Sequence, residues 1–237
     1  MRGLSVAERV SSASAAMTSH GLQFRILAMG ASLTEGLTRG GSAFHPYSLR
    51  LQALLDTAGY EGRAQVVTAG RSGEFVLPTM GDRLARILEE ARANNTLYTH
   101  VLIHGGTNDA GSGAEPKLIM AGLARMYKDA HKHGAKVVSM TLLGYHQRET
   151  NDGPAGKACT ELNRLLAEFV KQNGQALGIK CVDLGAGLSP HRQSPVQGTQ
   201  LACTNVSDLW DDNIHLTAPG YDRMAEMIWE GALKEML

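Results

Sequence analysis

The chain has few cysteines and no excess of either charge, and both features exclude classes of protein. Its three cysteines, Cys159, Cys181 and Cys203, stand far apart among 237 residues, and no two form a Cys-x-x-Cys pair. A disulfide framework needs an even and denser set, so the pattern predicts a reducing, cytoplasmic compartment and no metal site of the cysteine type. Lysine plus arginine and aspartate plus glutamate each number 23, which gives a net charge of zero. Without a basic block, we expect no binding to nucleic acid.

Long apolar runs are lacking as well. None approaches the roughly 20 residues of a transmembrane helix, so we expect no stable membrane insertion. Residues 1–20 are rich in serine and alanine but contain no apolar stretch like that of a secretory signal. We expect them to form an N-terminal extension, disordered or helical, with a targeting segment as the alternative. Residues 21–237 are expected to form one domain, since 43% of the chain is hydrophobic and can fill a sizeable core.

Five short apolar runs alternate with helical patterns, and this order predicts the fold class. Strands separated by helices cannot form hairpins, so the order predicts βαβ units and a parallel sheet covered on both faces. Two long connections, 144–156 and 185–213, exceed the usual length and are candidates for lids or binding loops. The predicted strands are residues 24–29, 65–68, 100–104, 136–142 and 179–184, and the predicted helices include 46–58 and 118–133.

Ser32 stands where the first predicted strand ends, in the segment Gly30-Ala31-Ser32-Leu33-Thr34. Ligands of open α/β folds bind at the carboxyl ends of the strands, so this serine is a candidate nucleophile. Thr34 stands where a Gly-x-Ser-x-Gly elbow would have glycine, which argues against an α/β-hydrolase nucleophile. The segment also lacks Gly-x-Gly-x-x-Gly and a Walker lysine, which makes nucleotide binding the weaker interpretation.

A candidate base and its partner lie directly before the last predicted helix, in Asp212-Asn213-Ile214-His215. A serine nucleophile needs an imidazole to take its proton and a carboxylate to hold the other ring nitrogen. Aspartate and histidine three positions apart on a turn can face the same side of the backbone. Asp208 and Asp211 are alternatives for the carboxylate.

Candidate oxyanion donors follow the other predicted strands. Asn108 comes after the third strand, and a fixed amide there can donate to the negative oxygen of a tetrahedral intermediate. Gly73 follows the second strand, where a glycine lets a backbone N–H approach closely. The N–H of Ser32, near a helix start, is a third candidate donor.

These segments together resemble the four sequence blocks of the SGNH hydrolases, also called GDSL esterases/lipases, and they occur in the same order. The resemblance implies a three-layer, flavodoxin-like α/β/α fold around a five-stranded, mainly parallel sheet. It implies hydrolysis of carboxylic esters of small molecules without a metal or a cofactor. By the same resemblance, Ser32 is the nucleophile and first oxyanion donor, His215 the base, Asp212 its orienter, Gly73 the backbone donor and Asn108 the side-chain donor.

Two positions depart from the family pattern. Ala31 replaces the aspartate that usually precedes the serine, which removes a supporting polar contact but no catalytic group. Thr68 takes the place of the asparagine of the second block. The donor glycine of the family lies five residues after that asparagine, which selects Gly73 and leaves Gly70 as the alternative.

The sequence restricts the class of substrate less than it restricts the type of reaction. Aromatic residues make up only 5% of the chain, and no greasy stretch lies near the site, so short acyl or acetyl esters are favoured. A carbohydrate O-acetylesterase and a lysophospholipase or thioesterase are alternatives within the family, because the fold does not choose among them. A ligand-binding module on the same fold is the alternative outside enzymes. The sequence does not predict the oligomeric state.

Four further polar residues have simpler explanations. We expect Arg71 and Glu74, which flank the glycine turn, to form a solvated pair. His104 ends a strand and is expected to be a core histidine with its hydrogen bonds satisfied. Asp109 is expected to bind backbone amides of its turn rather than to take part in chemistry.

Overall fold

A computed structural model of the protein describes residues 21–191 and 206–237. The strands are β1 (Phe24–Gly30), β2 (Leu37–Thr38), β3 (Ala43–Phe44), β4 (Ala64–Gly70), β5 (His100–His104), β6 (Lys136–Met140) and β7 (Ile179–Val182). Five of them form one sheet in the order β4-β1-β5-β6-β7, with every neighbouring pair parallel. Strands β2 and β3 form a separate antiparallel hairpin after β1. The predicted α/β fold with a five-stranded parallel sheet is confirmed.

Helices cover both faces of the sheet. They are α1 (Ser32–Glu35), α2 (Tyr47–Leu55), α3 (Gly81–Ala93), α4 (Thr107–Gly111), α5 (Pro116–His133), α6 (Arg148–Asp152), α7 (Pro154–Leu177), α8 (Gly185–Leu188), α9 (Ala218–Ile228) and α10 (Lys234–Met236). Short π-helical turns at Asp56–Tyr60, Val76–Met80 and Trp229–Leu233 and a 3-10 turn at Val206–Leu209 complete the described elements. None of the helices in the described ranges has the length and apolar character needed to span a bilayer.

Several predicted boundaries were wrong. Strands β6 and β7 end two residues earlier than predicted, because the chain leaves the sheet at Met140 and at Val182. The connection 144–156 is not one long loop, since it contains α6 and the first residues of α7. Residues 1–20, Cys203 and much of the connection 185–213 lie outside the described residues.

The two faces of the sheet pack against different helices, and β1 shows the alternation that divides them. Ile26 and Ala28 face one core with α2 and α9, whereas Leu27 and Met29 face the other with α3, α5 and α7. All four side chains are fully buried. A central parallel strand is covered on both faces, so its sequence is a continuous apolar run rather than an alternating one.

The carboxyl end of β1 lies level with the ends of both neighbouring strands. Gly30 pairs with Gly70 of β4 on one side and with His104 of β5 on the other. Helix α1 then leaves β1 and crosses the end of β4 in close contact. A Cβ atom on Gly70 would lie only 2.1 Å from the backbone nitrogen of Glu35, so a side chain at this position would displace the backbone of α1.

Replacement of Gly70 by alanine is therefore expected to destabilise the fold by at least about 2 kcal/mol, because backbone atoms cannot rotate away as a side chain can. Gly81→Ala is the matched control, since its Cβ would meet only the Met126 side chain at 3.7 Å and its backbone is helical. That control should be neutral or stabilising by up to about 1 kcal/mol. Urea unfolding measures both, and equal stabilities for the two variants would contradict the close approach.

Candidate active site

Ser32 is the first residue of α1, and a single residue, Ala31, separates it from the end of β1. The N–H groups of Thr34 and Glu35 donate to the oxygen of Ala31, whereas the N–H of Ser32, at the start of the helix, has no acceptor within the helix. The Ser32 hydroxyl oxygen lies 3.0 Å from Nε2 of His215, although 183 positions separate the two residues in the chain. The structure thus joins the first and the last candidate segment through a direct hydrogen bond.

The other ring nitrogen of His215 bonds to Asp212. Nδ1 lies 2.8 Å from Oδ2 of the carboxylate, and Oδ1 accepts the backbone N–H groups of Ile214 and His215 at 2.7 Å each. Partial burial acts to raise the pKa of Asp212. The hydrogen bonds from the His215 ring and from the two backbone N–H groups outweigh it and hold the pKa below its ordinary value. The carboxylate is therefore kept ionised while it fixes the imidazole.

The segment that carries Asp212 and His215 is anchored on both sides. Thr217 caps α9 as predicted, because its hydroxyl oxygen accepts the N–H of Gly220 at 3.3 Å. Asp211 accepts the N–H of Gly40 at 2.8 Å, which ties the segment to the β2–β3 hairpin. The carboxylate that bonds to the His215 ring is that of Asp212, whereas Asp211 bonds to His215 through the backbone, where its N–H donates to the His215 oxygen at 2.9 Å.

Asn108 lies in α4, directly after β5. Its Nδ2 donates to the backbone oxygen of Glu74 at 2.8 Å. An amide nitrogen carries two hydrogens, so one further donor is left on Asn108. Asn108 and Ser32 line the same small cleft, whose volume of about 10 Å³ is close to what one water oxygen occupies. The structure therefore brings these two candidate donors to one place.

Gly73 occupies the third position of a tight turn. The N–H of Glu74 donates to the oxygen of Arg71 at 3.1 Å, and Gly73 has a positive φ of 74°, which a residue with a side chain adopts only with strain. The alternative, Gly70, lies inside β4 and is the residue that α1 approaches closely. Gly70 is thus accounted for by packing, whereas Gly73 is adjacent to the residue whose oxygen Asn108 binds.

The expectation of a solvated Arg71–Glu74 pair was wrong. The Glu74 side chain is only 3% exposed and forms an ion pair with Arg83, whose Nε lies 2.9 and 3.0 Å from the two carboxylate oxygens. Sequence reasoning missed Arg83 entirely. The only signal was its place in the first turn of α3, and nothing in the sequence pairs that turn with a glutamate across the Val76–Met80 segment.

Asp109 binds backbone amides, as expected, but not those of its own turn. Its carboxylate is buried and accepts the N–H of Val76 at 2.9 Å and of Leu77 at 3.1 Å. It therefore fastens the segment after the glycine turn to α4. Asn108 and Asp109, adjacent in sequence, hold this segment at two points.

His104 is in the core, as predicted, but its hydrogen bonds are not all satisfied. It is 2% exposed, and Nε2 has no partner among the described residues. Burial lowers the pKa of His104 to about 4, because the charged ring would lose its hydration. The residue therefore packs in the neutral form beside the candidate site.

Two other features do not add to the site. A larger cavity of about 540 Å³ lies beyond the ends of β6 and β7. Its lining includes His191, the last described residue before the range 192–205. Within the described part of the chain, no three His, Cys, Asp or Glu side chains converge as metal ligands.

A parallel α/β sheet with serine, histidine and aspartate hydrogen-bonded in series at its carboxyl edge is typical of serine hydrolases. Residues 28–223 match the model of the GDSL-like lipase/acylhydrolase family. Because the match spans most of the chain, the protein belongs to this family, and the resemblance drawn from the four sequence blocks is confirmed. No curated protein matches the chain.

Solved structures share the fold over nearly the whole chain. TesA is 26% identical, with a TM-score of 0.62, and the match covers 90% of this chain and 99% of TesA. An acetylxylan esterase from Geobacillus stearothermophilus is 19% identical, with a TM-score of 0.63 and coverages of 90% and 96%. A GDSL-like lipase from Bacteroides thetaiotaomicron is 21% identical, with a TM-score of 0.62 and coverages of 98% and 97%. At these identities, the last two likenesses establish the fold alone.

The neutral, buried His104 predicts loss of stability in mild acid. The unfolded chain binds a proton near pH 6.5 and the folded chain only near pH 4, so the contribution of His104 is present above pH 6.5 and is lost as the pH falls toward 4. Its full size is about 3 kcal/mol. The melting temperature of His104→Leu, followed from pH 7.5 to 4, should therefore fall less steeply than that of the wild type. Parallel curves would show that His104 does not titrate as inferred.

Proposed function

We propose that the protein is a serine esterase that hydrolyses carboxylic esters of small molecules, with Ser32 as nucleophile, His215 as base and Asp212 as its orienter. The observation that carries the proposal is the continuous series of hydrogen bonds from the Ser32 hydroxyl through both ring nitrogens of His215 to the Asp212 carboxylate. A non-catalytic binding protein would have no use for a base and its orienter beside the hydroxyl.

In the first half of the reaction, Ser32 Oγ attacks the ester carbonyl carbon while His215 Nε2 accepts the hydroxyl proton. The carbonyl electron pair moves onto its oxygen and gives a tetrahedral oxyanion. The intermediate then expels the alkoxide, which takes the proton from His215 and leaves as an alcohol. The acyl group stays on Ser32. Water repeats the sequence through the same imidazole and releases the carboxylic acid and free Ser32.

The oxyanion is stabilised by the N–H groups of Ser32 and Gly73 and by the second amide hydrogen of Asn108. These donors are fixed before the substrate arrives, so they need no reorganisation when charge develops. One such donor is worth roughly 3 kcal/mol of barrier. Support comes from the shared cleft of Ser32 and Asn108, which is about the size of a single oxygen atom.

Asp212 acts through His215. By accepting a hydrogen bond from Nδ1–H, the carboxylate selects the tautomer whose Nε2 lone pair faces Ser32. It also stabilises the imidazolium that forms during attack. The lowered pKa of Asp212 supports this role, because it favours the ionised carboxylate that accepts from Nδ1–H.

Short acyl or acetyl esters are the proposed substrates. The low aromatic content of the chain favours a compact acyl group over a long one. Acetylated carbohydrates are the natural class to assay first, since an acetylxylan esterase is among the proteins with this fold. A panel of p-nitrophenyl esters from acetate upward, with acetylated sugars, lysophospholipid and an acyl thioester beside it, distinguishes the members of the family.

Ser32→Ala is expected to lower kcat for p-nitrophenyl acetate by at least about 10⁴-fold, because the variant lacks the proposed nucleophile. Circular dichroism and melting temperature should stay close to the wild type. Wild-type protein should also be labelled by a fluorophosphonate, and the variant should not. Activity that survives in Ser32→Ala would refute the assignment, and a wild type that binds esters without hydrolysing them would favour a ligand-binding module.

Asp212→Asn is expected to lower kcat by about 10⁴-fold, since an amide in this place favours the wrong tautomer of the base. Asp211→Asn is the matched control, as it changes the adjacent carboxylate, which bonds to Gly40 instead. The control should retain most of the activity. The reverse order of the two effects would transfer the orienting role to Asp211.

A further inference from the structure

We propose that Arg83, through its buried pair with Glu74, is a positioning residue that places the oxyanion donors Gly73 and Asn108 beside the nucleophile. The inference rests on the esterase function proposed above and adds a residue that does not touch substrate. Arg83 lies in the first turn of α3, away from the four sequence blocks.

The guanidinium group of Arg83 contacts three separate parts of the sheet edge. Nε and Nη2 bond to the Glu74 carboxylate, Nη1 donates to the backbone oxygen of Ala69 at 3.0 Å, and Nη2 donates to that of Gly30 at 3.0 Å. One planar group with five donors thus connects the end of β1, the end of β4 and the glycine turn. A lysine, with a single ammonium nitrogen, cannot span these acceptors.

Each of these acceptors belongs to a segment that carries a proposed donor. Gly30 precedes Ser32 by two residues, so fixing its carbonyl fixes the start of α1. Ala69 directly precedes the last residue of β4, after which the turn with Gly73 begins. Glu74 closes that turn.

The backbone of Glu74 extends the linkage to the third donor. Its oxygen accepts the Nδ2 hydrogen of Asn108 at 2.8 Å. Arg83 holds the Glu74 side chain, and the Glu74 carbonyl that orients Asn108 lies in the same turn as the N–H of Gly73. A shift of this turn would therefore displace both groups together. On the other side of the turn, Glu35 accepts the backbone N–H of Ser72 at 2.7 Å. The turn is therefore held on both sides, by Glu35 at Ser72 and by Arg83 at Glu74.

Burial argues that stability is not the reason for this pair. The side chains of Glu74 and Arg83 are 3% and 12% exposed. Removing two such charges from water costs about as much as their attraction returns, and apolar replacements of a buried pair are often neutral or stabilising. The presence of a buried ion pair here, rather than apolar side chains, is better explained by the carbonyl groups and the turn that Arg83 and Glu74 orient.

The test measures kcat and KM of Arg83→Lys for p-nitrophenyl acetate, with each rate divided by the active sites titrated with a fluorophosphonate. We expect kcat per titrated site to fall about 10- to 100-fold with KM changed less than threefold, because misplaced oxyanion donors weaken only the transition state. Arg86→Lys is the matched control on the same helix, where the arginine pairs with Glu90 on the exposed surface. Its kcat should equal that of the wild type.

A purely structural role predicts a different result. Arg83→Lys would then lower the melting temperature and the number of titrated sites while kcat per site stayed at the wild-type value, and the proposal would be overturned. Because Arg83→Lys could fold poorly, the double variant Glu74→Leu/Arg83→Met serves as a second test, since it leaves no unpaired buried charge. It should melt near the wild type and still lose kcat, and full kcat in a folded double variant would overturn the proposal.

These outcomes are separate from those of the esterase assignment. If the wild type hydrolyses esters and loses this activity with Ser32→Ala, unchanged kcat in the Arg83 and Glu74 variants rejects only the positioning role. If the wild type hydrolyses no ester, both the esterase function and the inference that rests on it fail together.

Discussion

The register of β1 with its two parallel neighbours is the constraint on which the candidate site depends. Gly30 lies level with Gly70 on one side and with His104 on the other, so three chain segments leave the sheet at the same edge. Ser32, the turn with Gly73 and the turn with Asn108 therefore meet without any long loop to bring them together. A shift of one residue in either pairing would turn the following segment to the other face of the sheet and separate the proposed donors.

The proposed base, His215, reaches this edge in a different way from the proposed oxyanion donors. His215 stands on a connection rather than at a strand end, and its position depends on the cap of α9 and on the bond between Asp211 and Gly40. The proposed donors are thus held by segments that leave the sheet, while the imidazole is held by hydrogen bonds that water can reach. We therefore expect motion at the site to concentrate in the segment that carries His215.

Much of this arrangement could be predicted from the sequence, and the remainder could not for physical reasons. Apolar runs ended by glycine located the strands, and polar residues after those ends located Ser32 and Asn108, because both signals are local. The β2–β3 hairpin was missed because two-residue strands have no measurable periodicity. The pair of Glu74 and Arg83 was missed because an isolated glutamate normally indicates a solvated surface, and only the tertiary fold buries it.

Three polar or charged side chains are buried at this edge of the sheet, at a cost in folding free energy. Glu74, His104 and Asp109 are all buried here. Each buried polar group costs free energy unless it is bonded, and Nε2 of His104 is not bonded in the described structure. Glu74 and Asp109 instead hold the backbone between residues 74 and 77. A chain selected for stability alone would place apolar side chains there, so these buried polar residues support the proposal that this edge positions the oxyanion donors.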